Sequence, residues 1–177
     1  MKKVKVATVW LDGCSGCHMS LLDMDAAIIQ LARKIDIVYG PLVDAQEFPE
    51  DVDVTLVEGA VSSQDDLAKI QKIRARTHVL VSLGDCAVTG NVPAMRNSVP
   101  VQKLLQRVYV EGSQANKVVP TDRVPALLKM ARPVREFVKV DIAVPGCPPP
   151  AKTIFGLIND LLEGKKKTDT TPAVKFG

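Results

Sequence analysis

The run VKVATVWLDGCSGCHMSLL, residues 4–22, passes from a β-rich segment through a glycine-containing turn into a helical pattern. Residues 3–10 alternate charged and apolar side chains before turning apolar. Leu21, Met24, Ile28, Leu31 and Ile35 then recur at helical spacing, which predicts a strand followed by a helix. Between them lies Cys14-Ser15-Gly16-Cys17-His18. Its C-x-x-C-H pattern suits covalent haem attachment, a redox dithiol or part of a metal site.

The same alternation continues outward. Residues 36–39 read as a short strand ended by Gly40-Pro41, and 53–58 as a third strand. Ser62 or Ser63 is a helix N-cap in SSQDD, with the helix running to about Arg76. HVLVSLG, 78–84, is a fourth strand and 101–110 a helix; 133–144 is a helix end passing into a fifth strand. The amphipathic segment 151–164 is a helix stopping at Gly164, and 165–177 an extended tail. This order predicts an α/β fold: a doubly wound, flavodoxin-like, mostly parallel sheet in one domain, 1–164. Cys14 and Cys17 then follow the first strand, Cys86 the fourth and Cys147 the fifth. In a parallel sheet these positions share the carboxyl edge, where such folds place ligands.

Composition narrows the chemistry. Of 177 residues, 46% are hydrophobic and 24% charged, with a net charge of +3, the profile of a globular protein. Lys2-Lys3 and Lys165–Lys167 are terminal basic clusters, and with aromatics at 4% no nucleic-acid platform is expected. No apolar run reaches the ~18 residues of a membrane span. The N-terminus carries no signal-peptide pattern, so a cytoplasmic location is expected, where grouped cysteines bind metal or do redox work.

Haem attachment needs export and leaves Cys86 and Cys147 without a role. A thioredoxin-like dithiol needs no further cysteines. Structural zinc usually draws two close pairs from compact loops, whereas this chain offers one pair and two singles. Four unrelated buried cysteines would not each need a Gly- or Pro-rich turn, yet DGCSGC, LGDCAVTGN and VPGCPPP all have one. Glycine lets backbone approach a bulky group closely. A 4Fe–4S cluster on Cys14, Cys17, Cys86 and Cys147 fits these residues best.

GCSGCHMSLLD, GDCAVTGNVPAMRN and PGCPPP together resemble the small, electron-transferring subunit of NiFe hydrogenases, from Lys3 to about Gly164. The related cluster subunit of NADH–quinone oxidoreductases shares PGCPP but typically has adjacent cysteines in its first motif. Larger hydrogenase small subunits carry further cysteines for more clusters, and this chain has four in all. It resembles the soluble, bidirectional NAD-reducing group. That resemblance implies one proximal 4Fe–4S cluster here and a NiFe centre in a separate large subunit. It also implies diaphorase iron–sulfur and flavin subunits carrying FMN and binding NAD. Flavodoxins cradle FMN after the first strand, but Cys14 and Cys17 occupy that loop, so FMN is expected in a partner.

Many family members have an acidic residue two positions after the second cysteine; here Met19 stands there. His18 is either a donor to cluster sulfur or a side chain packed or solvated at an interface. Glu58-Gly59 ends the third strand at the cysteine edge; the resemblance implies a place near the subunit interface and cluster, and the alternative is a solvated carboxylate with a turn glycine. Asp85 and Asn91 flank Cys86 as loop-ordering or ordinary turn residues. His78, at a strand start, reads as structural.

Overall fold

A computed structural model describes residues 3–165. In chain order its elements are β1 (Val4–Trp10), α1 (Gly16–Leu22), α2 (Ala27–Ala32), β2 (Ile35–Tyr39), β3 (Val52–Glu58), β4 (Val61–Ser63), α3 (Gln64–Ala75), β5 (Thr77–Leu83), α4 (Asp85–Thr89), α5 (Asn91–Ala94), α6 (Val101–Leu105), β6 (Leu127–Arg132), β7 (Ile142–Val144) and α7 (Ala151–Leu162). Five strands form one sheet in the order β2-β1-β3-β5-β7, and every neighbouring pair is parallel. Apart from β4 and β6, this is the flavodoxin-like order, with its switch point between β1 and β3.

Alternation along the strands builds two cores. Val6, Leu56, Val81, Leu83 and Val144 face one side with Leu31 of α2 and Ile154, Leu157 and Ile158 of α7. Ala7, Val9, Val57 and Leu80 face the other with Ile70 and Ile73 of α3 and Val134. Adjacent residues such as Leu56 and Val57 therefore serve opposite layers, as a strand's period of two requires. The central strand β3 is buried along nearly its whole length, while β2 lies at the edge with Asp36 and Ile37 exposed.

Helix α3 begins where its sequence says it should. The Ser63 hydroxyl accepts from the Asp66 N–H at 3.1 Å, and the Ser63 N–H donates to Asp66 Oδ2 at 2.9 Å, a reciprocal cap. Asp65 and Asp66 sit in the first turn and Lys72 and Arg74 in the last, matching the helix dipole. At its far end Arg74 Nη1 meets Asp141 Oδ2 at 2.5 Å, and that same oxygen accepts from the Leu80 N–H at 2.8 Å. The approach to β7 is thereby locked onto β5.

Three local readings change. The helix expected through Ile35 breaks into α1 and α2, with Asp25 between them in the left-handed region at φ 47°. The helix expected over 101–110 begins as α6 and widens into a π-helical turn at Gln106–Glu111. The antiparallel pair β4–β6 was not foreseen: β6 buries Ala131 alone, so its pattern carries little signal. The predicted tail lies outside the described residues from residue 166 onward. Among the described residues no helix is long and apolar enough to cross a membrane.

Leu80 is fully buried, so Leu80→Ala should lower stability by about 2–5 kcal/mol in urea unfolding. Ser63→Ala should cost about 1 kcal/mol through loss of the cap. A Leu80→Ala effect no larger than that of the cap would contradict this packing.

Candidate metal centre

Parallel strands deliver their following loops to one edge. Cys14 and Cys17 lie in the β1–α1 turn, with Cys17 in the first turn of α1; Cys86 lies in α4 directly after β5, and Cys147 in the β7–α7 loop. All four are free thiols; Cys17 is buried, Cys86 half-buried, and Cys14 and Cys147 exposed. Although they come from three loops, they share one electrostatic neighbourhood. Burial pushes the Cys17 thiol up to about 12, and the charges of Glu58, Cys86, Cys14 and Cys147 push the same way. The Cys86 thiol is also raised, by burial first and then by Cys147, while a hydrogen bond from the Val92 N–H opposes the rise. Holding four thiolates here without a compensating cation is unfavourable. Among the described residues no three His, Cys, Asp or Glu side chains close on a single metal ion.

Backbone contacts fix the loops to one another. The Gly84 N–H donates to Val144 O at 2.8 Å and the Asp85 N–H to Gly146 O at 2.9 Å. Asp85 Oδ1 accepts in return from the Gly146 N–H at 2.7 Å. The Cys86 and Cys147 loops are thus clamped together. Ser20 Oγ of α1 donates to Pro149 O at 2.5 Å, which brings the first loop to the third. Gly84 has φ 84°, and a Cβ built there would collide with Cys17 Sγ. Only glycine fits this approach.

Glu58 closes the other side. It is 2% exposed, and its Oε2 accepts from the His18 backbone N–H at 3.0 Å and from His18 Nδ1 at 2.6 Å. The His18 ring packs edge-on against Trp10 at 5.3 Å, and its buried Nε2 has no partner among the described residues. Within this chain the His18 ring is buried and packed. Beside it, Asp12 and Ala60 exchange backbone hydrogen bonds at 3.0 and 2.7 Å. They stitch the β1 and β3 loops across the switch point, where a flavodoxin-like sheet otherwise opens a ligand crevice. Gly59, at φ 92°, must be glycine, since a Cβ would meet Leu11 and Asp12 backbone within 3 Å. Met19 is exposed. His78 lies apart on the surface, with Nε2 2.7 Å from Asp51 Oδ1.

Asn91 orders more than a turn. It takes φ 32°, and its Nδ2 donates to Cys147 Sγ at 3.6 Å. Sequence reasoning placed it beside Cys86 and missed this reach to another loop. The only available signal was an asparagine after glycine, a pair suited to left-handed backbone.

The model of the family described as NADH ubiquinone oxidoreductase, 20 Kd subunit, matches residues 14–161. The chain belongs to this family. It is 39% identical over 165 residues to a vhu subunit of the F420-non-reducing hydrogenase of Methanocaldococcus jannaschii, covering 92% of this chain and 57% of that protein. It is 38% identical over 168 residues to the delta subunit of the NAD-reducing hydrogenase HoxS of Cupriavidus necator, covering 92% and 80%. It thus spans little more than half of the first relative and most of the second. A chain in the crystal structure of NAD+-reducing [NiFe]-hydrogenase in the H2-reduced state superposes with a TM-score of 0.93 at 35% identity, over 99% of this chain and 100% of that one. In sequence and fold this is a subunit of the hydrogenase type, as its motifs imply.

Gly84→Ala should displace Cys17 and lower the melting temperature. Gly156→Ala, where a Cβ meets nothing within 4 Å, should stabilise α7 by about 0.5–1 kcal/mol. Equal melting temperatures for the two would contradict the close approach. In the metal-free chain the folded Cys17 thiol keeps its proton to about pH 12, whereas the unfolded thiol releases it near 9.0. The unfolded state therefore binds fewer protons in that window, and stability should fall as pH rises through it. Cys17→Ala should flatten that slope in unfolding curves taken from pH 8 upward.

Proposed function

We propose that this chain is the small subunit of a cytoplasmic NiFe hydrogenase and holds one 4Fe–4S cluster on Cys14, Cys17, Cys86 and Cys147. The partners in this reading are a large subunit with the NiFe centre and a diaphorase module, with iron–sulfur and FMN-carrying flavin subunits, that exchanges electrons with NAD. The observation that carries it is the delivery of four thiols by three loops to one sheet edge, where hydrogen bonds tie those loops together. An all-thiol set around one space suits a cubane, which offers each thiolate its own iron. The collision that any Cβ at Gly84 would suffer with Cys17 Sγ fits a sulfur pressed into a defined cradle. When bound, such a cluster takes up and releases electrons singly.

The chain's own work in this reading is to hold and insulate. The Asp85–Gly146 and Ser20–Pro149 hydrogen bonds fix the thiols, and hence the distance to a donor or acceptor in another chain. Pro148 and Pro149 follow Cys147 and place no backbone N–H donors there. The exposed Cys14 and Cys147 and the exposed Met19, Val92 and Met95 mark the face that a large subunit would cover. The TM-score of 0.93 at 35% identity to a chain of the NAD+-reducing hydrogenase supports the NAD-linked assembly. The family model's description, an NADH ubiquinone oxidoreductase subunit, supports a second reading: an electron carrier in a complex without nickel.

Purified anaerobically with its native partners, the complex should contain nickel, excess iron and acid-labile sulfide, and should reduce NAD with dihydrogen. Cys86→Ala and Cys147→Ala should each lose iron and sulfide from this chain and abolish that activity. Iron and sulfide without nickel would move the chain to the quinone-oxidoreductase reading. Zinc at about one per chain, the stoichiometry of a structural four-thiolate site, would retire the cluster.

A further inference from the structure

The turn Gly90-Asn91-Val92 sends donors to two different cysteines. The Asn91 side-chain amide reaches Cys147 Sγ at 3.6 Å, and the Val92 backbone N–H reaches Cys86 Sγ. Backbone geometry explains how one short turn serves both. Gly90 and Asn91 take φ 94° and 32° in succession, which swings the chain from the end of α4 back across the thiols. The Gly90 N–H caps α4 on Cys86 O at 3.0 Å, and the Ala94 N–H closes the next turn on Gly90 O at 3.1 Å. Asn91 Nδ2 is the only side-chain donor to any of the four sulfurs among the hydrogen bonds of the described residues.

The surroundings otherwise disfavour negative charge. Cys17 is buried, and the Glu58 carboxylate stands within its electrostatic reach. Among the described residues, no lysine or arginine side chain donates to a cysteine sulfur. A reduced cluster carries one more negative charge than an oxidised one. Donors on its thiolates stabilise the reduced form and raise the potential.

We propose that Asn91 is a positioning residue that sets the reduction potential of the cluster through its amide hydrogen bond to Cys147 Sγ, with the neighbouring Val92 N–H acting alike on Cys86. This rests on the four-cysteine cluster reading above. The role is separable from holding the loop, because two substitutions suit the left-handed backbone and remove the donor. Asn91→Gly fits φ 32° without strain and leaves no donor. Asn91→Asp keeps the shape and tolerates the same backbone, but puts a carboxylate oxygen where the amide was.

The test is a potentiometric titration of the cluster followed by electron paramagnetic resonance, on the native complex and both variants, with iron and sulfide measured on each. All three should carry the same iron and sulfide. The midpoint should fall in the order Asn91, Gly, Asp. For the aspartate, at least a tenfold shift toward the oxidised form is expected, about 59 mV for a one-electron couple. Equal midpoints at full iron content would overturn the proposal and leave the cluster reading standing. Loss of iron from Asn91→Gly with an unchanged midpoint in Asn91→Asp would also overturn it, by making Asn91 a loop residue only. Absence of iron and sulfide from the native chain would overturn the cluster reading itself, and this inference with it.

Discussion

The close approach of the Gly84 backbone to the Cys17 sulfur, which no side chain at position 84 would permit, ties the end of β5 to the start of α1. Those segments are far apart in sequence and are separated in the sheet by β3. The contact survives because parallel strands end at one edge and because Gly84 is fixed from behind by Val144 O. From there the clamp passes through Asp85 and Gly146 to Cys147, and through Pro149 back to Ser20 on α1. The circuit is closed: each of the three cysteine loops is bonded to another by backbone or by a buried hydroxyl. Side-chain thiols alone could not hold such positions, since nothing covalent links the loops.

This circuit concentrates groups that repel one another as anions. Burial is the largest influence on Cys17 and on Cys86, and burial disfavours a thiolate. The buried Glu58 adds a further negative group, fixed by two hydrogen bonds from His18. Among the described residues, the donors set against these are neutral, the Val92 N–H and the Asn91 amide. As thiolates these groups would need a compensating cation-rich centre, whereas with their protons retained they carry no charge. The rigidity of the circuit and the charge stress within it are two aspects of one design, because the loops cannot spread to relieve repulsion.

Much of this was legible in the sequence. Strand runs bounded by glycine and proline, the helix start at Ser62 or Ser63 and the helix before Gly164 all announce themselves locally, and local signals were enough to place the strands of a parallel sheet. The placement of Cys14, Cys17, Cys86 and Cys147 after strands that end at one sheet edge followed from that topology. What was not legible depends on tertiary geometry. The break between α1 and α2 comes from Asp25 in a left-handed conformation, which a continuous apolar spacing conceals. Strand β6 buries Ala131 alone and so leaves little pattern. The His18–Glu58 hydrogen bond and the reach of Asn91 to Cys147 join residues from different loops, so no window of sequence contains both partners.

Acceptor choice belongs to a different level of the structure. Relatives named as NAD-reducing and as F420-non-reducing each align with 92% of this chain, at 38% and 39% identity. The family model's match, residues 14–161, takes in all three cysteine turns. A feature common to both kinds of relative cannot distinguish their acceptors. The distinction must therefore reside in residues that vary within the fold's surface, in segments beyond it, or in other chains. The Methanocaldococcus protein is much the longer of the two, since this chain spans 57% of it and 80% of the other. Added length is one place where such a distinction can be written without disturbing the circuit at the sheet edge. The carboxyl-edge loops are tied to one another through Asp85–Gly146 and Ser20–Pro149, so variation at those positions would break the clamp.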